Sequence, residues 1–485
     1  MSNEAINFVS TNGPETATFC QAVMMGKAPN GGLWLPQRLH RFSIQEIAAM
    51  SQMSLPEIAY QVLRPYISKK EIPDLILVMI LERIYDEKVM PLSLIKVGDR
   101  YVLRLDQGPT LAFKDIGMMF LINILNYLYQ KNDSKLGVCA ATSGDTGGAA
   151  SENCEGLSSI LCITSFVKGK PSDEQRVFMT TNQNTIALQL EEGTFDVCQG
   201  LFNWLLDDHK FAREITGDPT YFGTVNSINV GRLLPQMIYV FWAYSRLLTV
   251  EKEPQMVPFI PSGNLGDATA TEMARRMGLP IPRIGIAHNE NRVFHSFLEK
   301  GVYEARLVHD TDSQSMDIGD PNNMPRLIKL FHGQMDGSKH MHFPPNLAEM
   351  RKTFISHWIS NREHREIIRR IFKAYGYESD PHGAAGHAAC DQFIEGFPED
   401  WKAVVYQTAN PDKFRELMQD ATGKRPVATA ILEKKLGMKE TVLKILSPPD
   451  YVKVKGEDKA IPSIAQYQEL KEILAVEIPR RLHAS

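Results

Sequence analysis

The stretch GPTLAFKDIG, from Gly108 to Gly117, sets one lysine, Lys114, between Phe113 and Asp115 where a helix is about to begin. An amine in that position has three uses: a solvated first-turn cation, a half-buried ion pair with Asp115, or a nucleophile that forms a Schiff base. The third requires an amine able to shed its proton, which burial and a neighbouring cation favour. Two glycine-rich turns stand out further along the chain. TSGDTGGAA (Thr142 to Ala150) follows the apolar run LGVCAA, and PSGNLGDATA (Pro261 to Ala270) follows MVPFI. A strand-to-helix turn of this kind gathers backbone N–H groups at a helix N-terminus, where they and the helix dipole favour a phosphate or a carboxylate. Glycine also serves such turns for purely steric reasons, so either turn alone is weak; two in one chain point to anionic ligands.

Neither turn fits the common nucleotide motifs. The P-loop spacing is absent, ATGKRP near Gly423 lacks its partner glycine and hydroxyl, and no dinucleotide glycine fingerprint follows a strand. The run ATSGD around Ser143 is not a hydrolase nucleophile elbow. A phosphorylated cofactor other than ATP or NAD remains, and pyridoxal phosphate supplies the logic. Its aldehyde takes a lysine such as Lys114, its phosphate takes backbone donors such as those of the Pro261 turn, and its ring nitrogen takes a partner. Thr408, after the run KAVVYQ, is a candidate for that partner.

The elements that must position these groups follow from hydrophobic periodicity. The segment Ile44 to Tyr85 reads as mostly helical, divided into short pieces by Pro56, Pro65 and Pro73. From about Pro91 the pattern changes. YVLRL, KLGVCAAT, LSSILCITSF, TIALQL, MVPFI, PRIGIAH and KAVVYQT are short apolar runs alternating with amphipathic stretches. That alternation predicts an α/β architecture with mainly parallel sheets covered on both faces. Between Glu299 and Tyr377 the pattern is less regular, with the turn-rich HGQMDGSKHMHFPPN before the helix-like NREHREIIRRIFKAY, and an inserted subdomain is expected there. PPDYVKVKGEDKAIPS reads as a connector to a last helix.

Composition narrows the partners. The 485 residues, 43% apolar and 23% charged, suit two or three domains around large cores. Basic and acidic residues number 53 and 57, for a formal charge of −4, and they are spread along the chain. No basic face is offered to nucleic acid or to anionic lipid. The arginines of NREHREIIRRIFKAY alternate with acidic and core-spaced apolar residues, as on a solvated helix face. The six cysteines form no C-x-x-C pair, which fits reduced thiols in the cytoplasm. The N-terminus lacks the pattern of a secretory signal. No run reaches the roughly 18 uninterrupted apolar residues of a membrane span; the longest, Ile116 to Tyr129, is broken by Asn123 and Asn126 and reads as a buried helix. His340, His342, His357 and His364 lack acidic or cysteine partners at ligand spacing, so no metal is expected.

GPTLAFKD, ATSGDTGGAA, NSINVGR and PSGNLGDATA, in that order and at these separations, resemble the threonine synthase family in its longer bacterial and fungal form. The resemblance extends over nearly the whole chain, through FCQAVMMGKAPNGGLWLP, SMDIGDPNNMPRL, DPHGAAG and TANPDKF. It implies a fold-type II pyridoxal-phosphate enzyme, similar to the tryptophan synthase β subunit. Such a fold has two α/β lobes of mainly parallel sheet plus an N-terminal helical domain. The expected boundaries are residues 1–90 for that domain, 91–215 for a smaller lobe carrying Lys114, and 216–485 for a larger lobe with an insertion near 299–377. The implied activity is a carbon–oxygen lyase acting on a phosphate ester: O-phospho-L-homoserine and water give L-threonine and phosphate, in a monomer or homodimer.

The resemblance also assigns roles. Lys114 takes the Schiff-base position, and Gly263, Asn264, Leu265, Gly266 and Asp267 take the cradle of the cofactor phosphate, largely through main-chain N–H groups. Thr142, Ser143, Gly144, Asp145, Thr146 and Gly147 fall where the substrate carboxylate and the 3′-oxygen of the ring are met, with Ser143 and Thr146 favoured for the carboxylate. Asn226, Ser227 and Arg232 match a pattern that grips the phosphate of the substrate, and Thr408 is placed at the ring nitrogen. The chain departs from the family at Asp106 and Gln107 where Phe-His is expected, at Gly383 where threonine is expected, and at Asn410 where histidine is usual. Two alternatives stay open: a phospho-lyase releasing 2-oxobutyrate, ammonia and phosphate, and a non-catalytic relative that keeps the fold to bind a partner.

Overall fold

A computed structural model describes residues 4–454 and 457–484. The chain divides into two compact units, Met1–Phe120 with Ser227–Pro426, and Leu121–Asn226 with Val427–Ser485. This division differs from the expected boundaries at 90 and 215. Lys114 belongs with the N-terminal segment and with residues 227–426, and the last part of the chain returns to the unit of the Thr142 turn. The crossing at Phe120/Leu121 lies inside one helix, Lys114–Lys131, so no break in composition announces it.

In the first unit a six-stranded sheet runs in the order Phe354–Trp358, Ile284–His288, Gln255–Pro261, Trp401–Gln407, Arg100–Arg104, Ser93–Val97. All neighbours are parallel except the last pair, a hairpin. The helix Pro381–Phe393 covers one face through Ala385, Ala388 and Ala389, which pack with Val257, Phe259 and Val405 in one buried cluster. Small residues let that helix approach the sheet closely. The strand Phe354–Trp358 is not marked by the sequence pattern. It extends the main sheet, so the irregular region after Glu299 contributes to the lobe itself. A three-stranded sheet and the short helices Ile44–Ala49, Leu55–Leu63 and Asp74–Tyr85 belong to the same unit. The Tyr85 hydroxyl donates to the Ile116 carbonyl at 2.7 Å, which ties the N-terminal helices to the first turns of the lysine helix.

The second unit holds a wholly parallel five-stranded sheet in the order Leu443–Ile445, Thr185–Leu190, Ile160–Val167, Leu136–Ala141, Phe222–Thr224. Its core joins Cys139, Ile163 and Leu188 of the sheet to Val197 and Leu201 of the helix Phe195–Asp207, and to Leu470, Leu474 and Ile478 of the final helix. Strands buried on both faces explain the continuous apolar runs. The expected connector at 450–461 is a β-hairpin, Asp450–Val454 with Glu457–Ile461. All six cysteines are buried and none is in a disulfide. Among the described residues no helix is long and apolar enough to cross a membrane.

Candidate active site

The lead-in to Lys114 is held by backbone pairing across almost 300 positions of sequence. Ala112 and Ala409 form an isolated antiparallel bridge. The Phe113 N–H donates to the Thr408 carbonyl at 2.9 Å and the Asn410 N–H to the Leu111 carbonyl at 3.0 Å. Thr408, itself buried, is thereby fixed beside the residue that precedes Lys114. Asp115 is buried and accepts from the Thr110 N–H at 2.8 Å and from its hydroxyl at 2.7 Å. Lys413, 1% exposed, donates to the Thr110 carbonyl at 2.6 Å. The half-buried Lys114 amine donates to Ser315 Oγ at 3.1 Å. Ser315 and Lys413 carry no mark of function in the sequence beyond their place in SMDIGD and TANPDKF, because packing alone brings them to the lysine.

The second glycine turn lies in the same unit, between the strand Gln255–Pro261 and the helix Gly266–Arg276. Leu265 adopts the left-handed region, φ 59° and ψ 16°, an uncommon conformation for a leucine. Among the described residues, no protein hydrogen bond uses the N–H groups of Gly263, Asn264 or Leu265. These amides and the first turn of the helix form a cradle of donors suited to a phosphate. A Cβ built on Gly263 would lie 2.9 Å from the Ser315 carbonyl oxygen and 3.1 Å from Met316 Cα, so only glycine fits. The Ser315 turn thus touches both the cradle and the lysine. Asn264 is spent on structure: its Oδ1 accepts from the Asn322 N–H at 3.1 Å, and its carbonyl accepts from Asn323. The Asp267 carboxyl is buried, takes a weak hydrogen bond from Thr271 at 3.4 Å, and is pushed up to about 7 by burial, opposed by the hydroxyls of Tyr239 and Thr271. Its contribution to an anion site is therefore the main chain.

Arg232 sits in the short helix Val230–Leu233, capped by Asn229, whose side chain accepts from the Gly231 N–H at 3.0 Å. Its guanidinium is buried, and burial lowers its pKa to about 10 against the pull of Asp115. A Cβ built on Gly117 would lie 3.2 Å from Arg232 Nε. Gly117 is three residues after Lys114 on the same helix, and positions i and i+3 share a face. A buried cation thus lies along the face that carries the lysine. Ser227 contributes its carbonyl to Arg326 at 3.0 Å.

The first glycine turn belongs to the other unit. Thr142 Oγ1 accepts from the Gly144 N–H at 2.9 Å and the Gly147 N–H at 3.0 Å, so the turn satisfies two of its own amides. Gly144 has φ 153° and lies against Gln175, whose Nε2 donates to the buried Asp145 Oδ1 at 3.0 Å. Ser143 and Thr146 are the residues of this turn that stay half-exposed. Asn226 joins them, its Nδ2 donating to the Ala141 carbonyl at 3.0 Å, one residue before Thr142.

The departures from the family pattern have local explanations. At Gly383 a Cβ would meet Gln407 Oε1 at 2.7 Å, so Gln407 fills the room a threonine would need. Asn410 caps the turn Pro411–Phe414 by accepting from the Asp412 N–H at 3.1 Å. Asp106 is paired with Arg104 at 2.6 Å, burial pushing its carboxyl up to about 6, and Gln107 accepts from Ser93 Oγ at 2.8 Å. Among the described residues no group of three histidine, cysteine or acidic side chains is placed to hold a metal. His342 instead pairs with Asp336 at 2.9 Å.

The family model of the threonine synthase N terminus matches residues 7–85, and that of pyridoxal-phosphate-dependent enzymes matches residues 92–408. Threonine synthase of Pseudomonas aeruginosa is 32% identical over 450 residues, covering 88% of this chain and 93% of the relative. That of Saccharomyces cerevisiae is 32% identical over 459 residues, covering 85% and 88%. Among solved structures, yeast threonine synthase superposes with a TM-score of 0.85 at 27% identity, over 99% of this chain and 100% of the other. Pyridoxal-phosphate-bound threonine synthase from Brucella melitensis superposes with a TM-score of 0.83 at 30% identity, over 97% and 99%. The unbonded amides of the Gly263 turn and the lysine held beside it fit such a cofactor, and the chain belongs to the threonine synthase family of pyridoxal-phosphate-dependent enzymes.

Proposed function

We propose that the protein converts O-phospho-L-homoserine and water to L-threonine and phosphate, acting as a carbon–oxygen lyase. The observation that carries this reading is the buried Arg232 guanidinium on the face of the lysine helix, one turn from Lys114. A cation kept buried at that cost suits a substrate that brings its own phosphate. When bound, pyridoxal phosphate supplies an electron sink at the substrate α-carbon.

The roles of the chain follow. Lys114 would hold the cofactor through its ε-amine, and that amine, when free of it, would take the protons of Cα and then Cβ of the substrate. Arg232, with Asn226 and Ser227, holds the phosphate while the Cγ–O bond breaks and its electron pair leaves with the phosphate. Cγ receives a proton to become the methyl group, water adds its oxygen at Cβ and gives up a proton, and Cα regains its proton, which gives threonine. Ser143 and Thr146 donate hydroxyls to the substrate carboxylate. The amides of Gly263 to Asp267 hold the cofactor phosphate, and Thr408 faces the ring nitrogen as a neutral partner. Buried cysteines without disulfides suit a reducing, cytoplasmic setting.

The test is product identity. Full-length protein with pyridoxal phosphate and O-phospho-L-homoserine is expected to form threonine in step with released phosphate, and Lys114→Ala to abolish both. Dominant 2-oxobutyrate would make it a phospho-lyase, and phosphate retained on the substrate would overturn the reading.

A further inference from the structure

The contact between Lys114 and Ser315 is the end of a longer chain of hydrogen bonds, all within one unit. Ser315 sits on the short turn Gln314–Met316. Its backbone N–H donates to His382 Nε2 at 3.3 Å. A backbone N–H can only donate, so Nε2 is the unprotonated nitrogen, and the ring proton is on Nδ1. Nδ1 in turn meets Asp380 Oδ1 at 2.6 Å. Asp380 is wholly buried and cannot drift, because it also caps the helix Pro381–Phe393, accepting from the His382 N–H at 2.9 Å and the Gly383 N–H at 3.2 Å. The edge of the His382 ring rests on Phe414, centroids 5.4 Å apart, and 2% of the residue is exposed. None of the roles assigned above uses Asp380, His382 or Ser315.

We propose that His382, oriented by Asp380, is a positioning residue for Lys114. It fixes the Ser315 turn through the main chain, so that Ser315 Oγ holds the lysine amine at one place beside the Gly263 cradle. The arrangement answers a need of the reaction. A lysine that leaves its cofactor in each turnover has four rotatable side-chain bonds, and without a partner its amine would wander from the bond it must re-form. A hydroxyl suits this resting place because it accepts from an ammonium and donates to a neutral amine. A carboxylate there would trap the charged form. The histidine acts on the lysine through the turn.

This inference rests on Lys114 being the cofactor lysine, and the experiment separates the two. Full-length chain stripped of cofactor is mixed with pyridoxal phosphate over a range of concentrations, quenched with borohydride at timed intervals, and the modified lysine is mapped by peptide mass. The limiting rate of capture and the half-saturating concentration are read separately. Ser315→Ala and His382→Ala are expected to lower the limiting rate about ten-fold while leaving half-saturation within about two-fold. His382→Gln is expected to restore most of the rate, since an amide oxygen can accept the Ser315 N–H. Ser315→Ala and His382→Gln decide the matter if His382→Ala does not fold. An unchanged limiting rate in Ser315→Ala, or a loss confined to half-saturation, overturns the proposal. Wild-type capture at a lysine other than Lys114 overturns the site assignment and this inference with it.

Discussion

The two glycine turns look alike in sequence, each following a buried strand and opening a helix, yet they differ in the side chains they offer a ligand. In the Thr142 turn the threonine hydroxyl takes the Gly144 and Gly147 amides and Gln175 takes Asp145, which leaves the half-exposed Ser143 and Thr146 to present hydroxyls as well as main-chain N–H groups. The Gly263 turn keeps the amides of Gly263, Asn264 and Leu265 out of protein hydrogen bonds and spends the Asn264 side chain on neighbouring backbone. Amides at a helix N-terminus suit a dianion that stays, whereas rotatable hydroxyls suit a carboxylate that arrives and leaves.

This contrast can be broken from either side. The largest effect is expected from Gly263→Ala, whose methyl would press on the Ser315 carbonyl and Met316. Overpacking of about 1–3 kcal/mol should weaken cofactor binding by roughly ten- to a hundred-fold. Absorbance of the purified protein titrated with pyridoxal phosphate measures it. Ser143→Ala should lower kcat/KM for O-phospho-L-homoserine by about ten-fold, the loss of one hydrogen bond to a charged group. Cofactor affinity should be unmoved.

The smallest effect is a pH slope. The Asp267 carboxyl, raised from 3.8 to about 7 in the folded chain, holds a proton that the unfolded chain releases. Unfolded protein binds fewer protons through that window, so this group makes stability fall as pH rises from about 4 to 7, by up to about 1.4 kcal/mol per pH unit. Asp267→Asn should flatten that slope in urea unfolding of the cofactor-free chain. An unchanged slope would mean the carboxyl is ionised in the fold.

Much of this was open to reading from the residues. The apolar runs that gave strands are buried on both faces, and the proline-divided helices follow from backbone chemistry. Phe354–Trp358 escaped because it starts immediately after the helix Leu347–Thr353 and carries Ser356 and His357, with a half-buried pattern. The unit boundaries escaped because the chain crosses within a helix. Lys114 and both turns stood out from local spacing, and Arg232 from the resemblance to the threonine synthase family. Ser315, Asp380 and His382 were not, since nothing local in SMDIGD or DPHGAAG says which lysine they serve; that relation exists only after segments some two hundred residues apart have packed.

The measurement that bears most directly on the division between the turns is a crossed one. The dissociation constant for pyridoxal phosphate and the KM for O-phospho-L-homoserine are determined side by side in wild type, Gly263→Ala and Ser143→Ala. The account predicts that the first variant moves the cofactor constant and the second moves the substrate constant, each leaving the other near wild type. Both substitutions moving the same constant would contradict it.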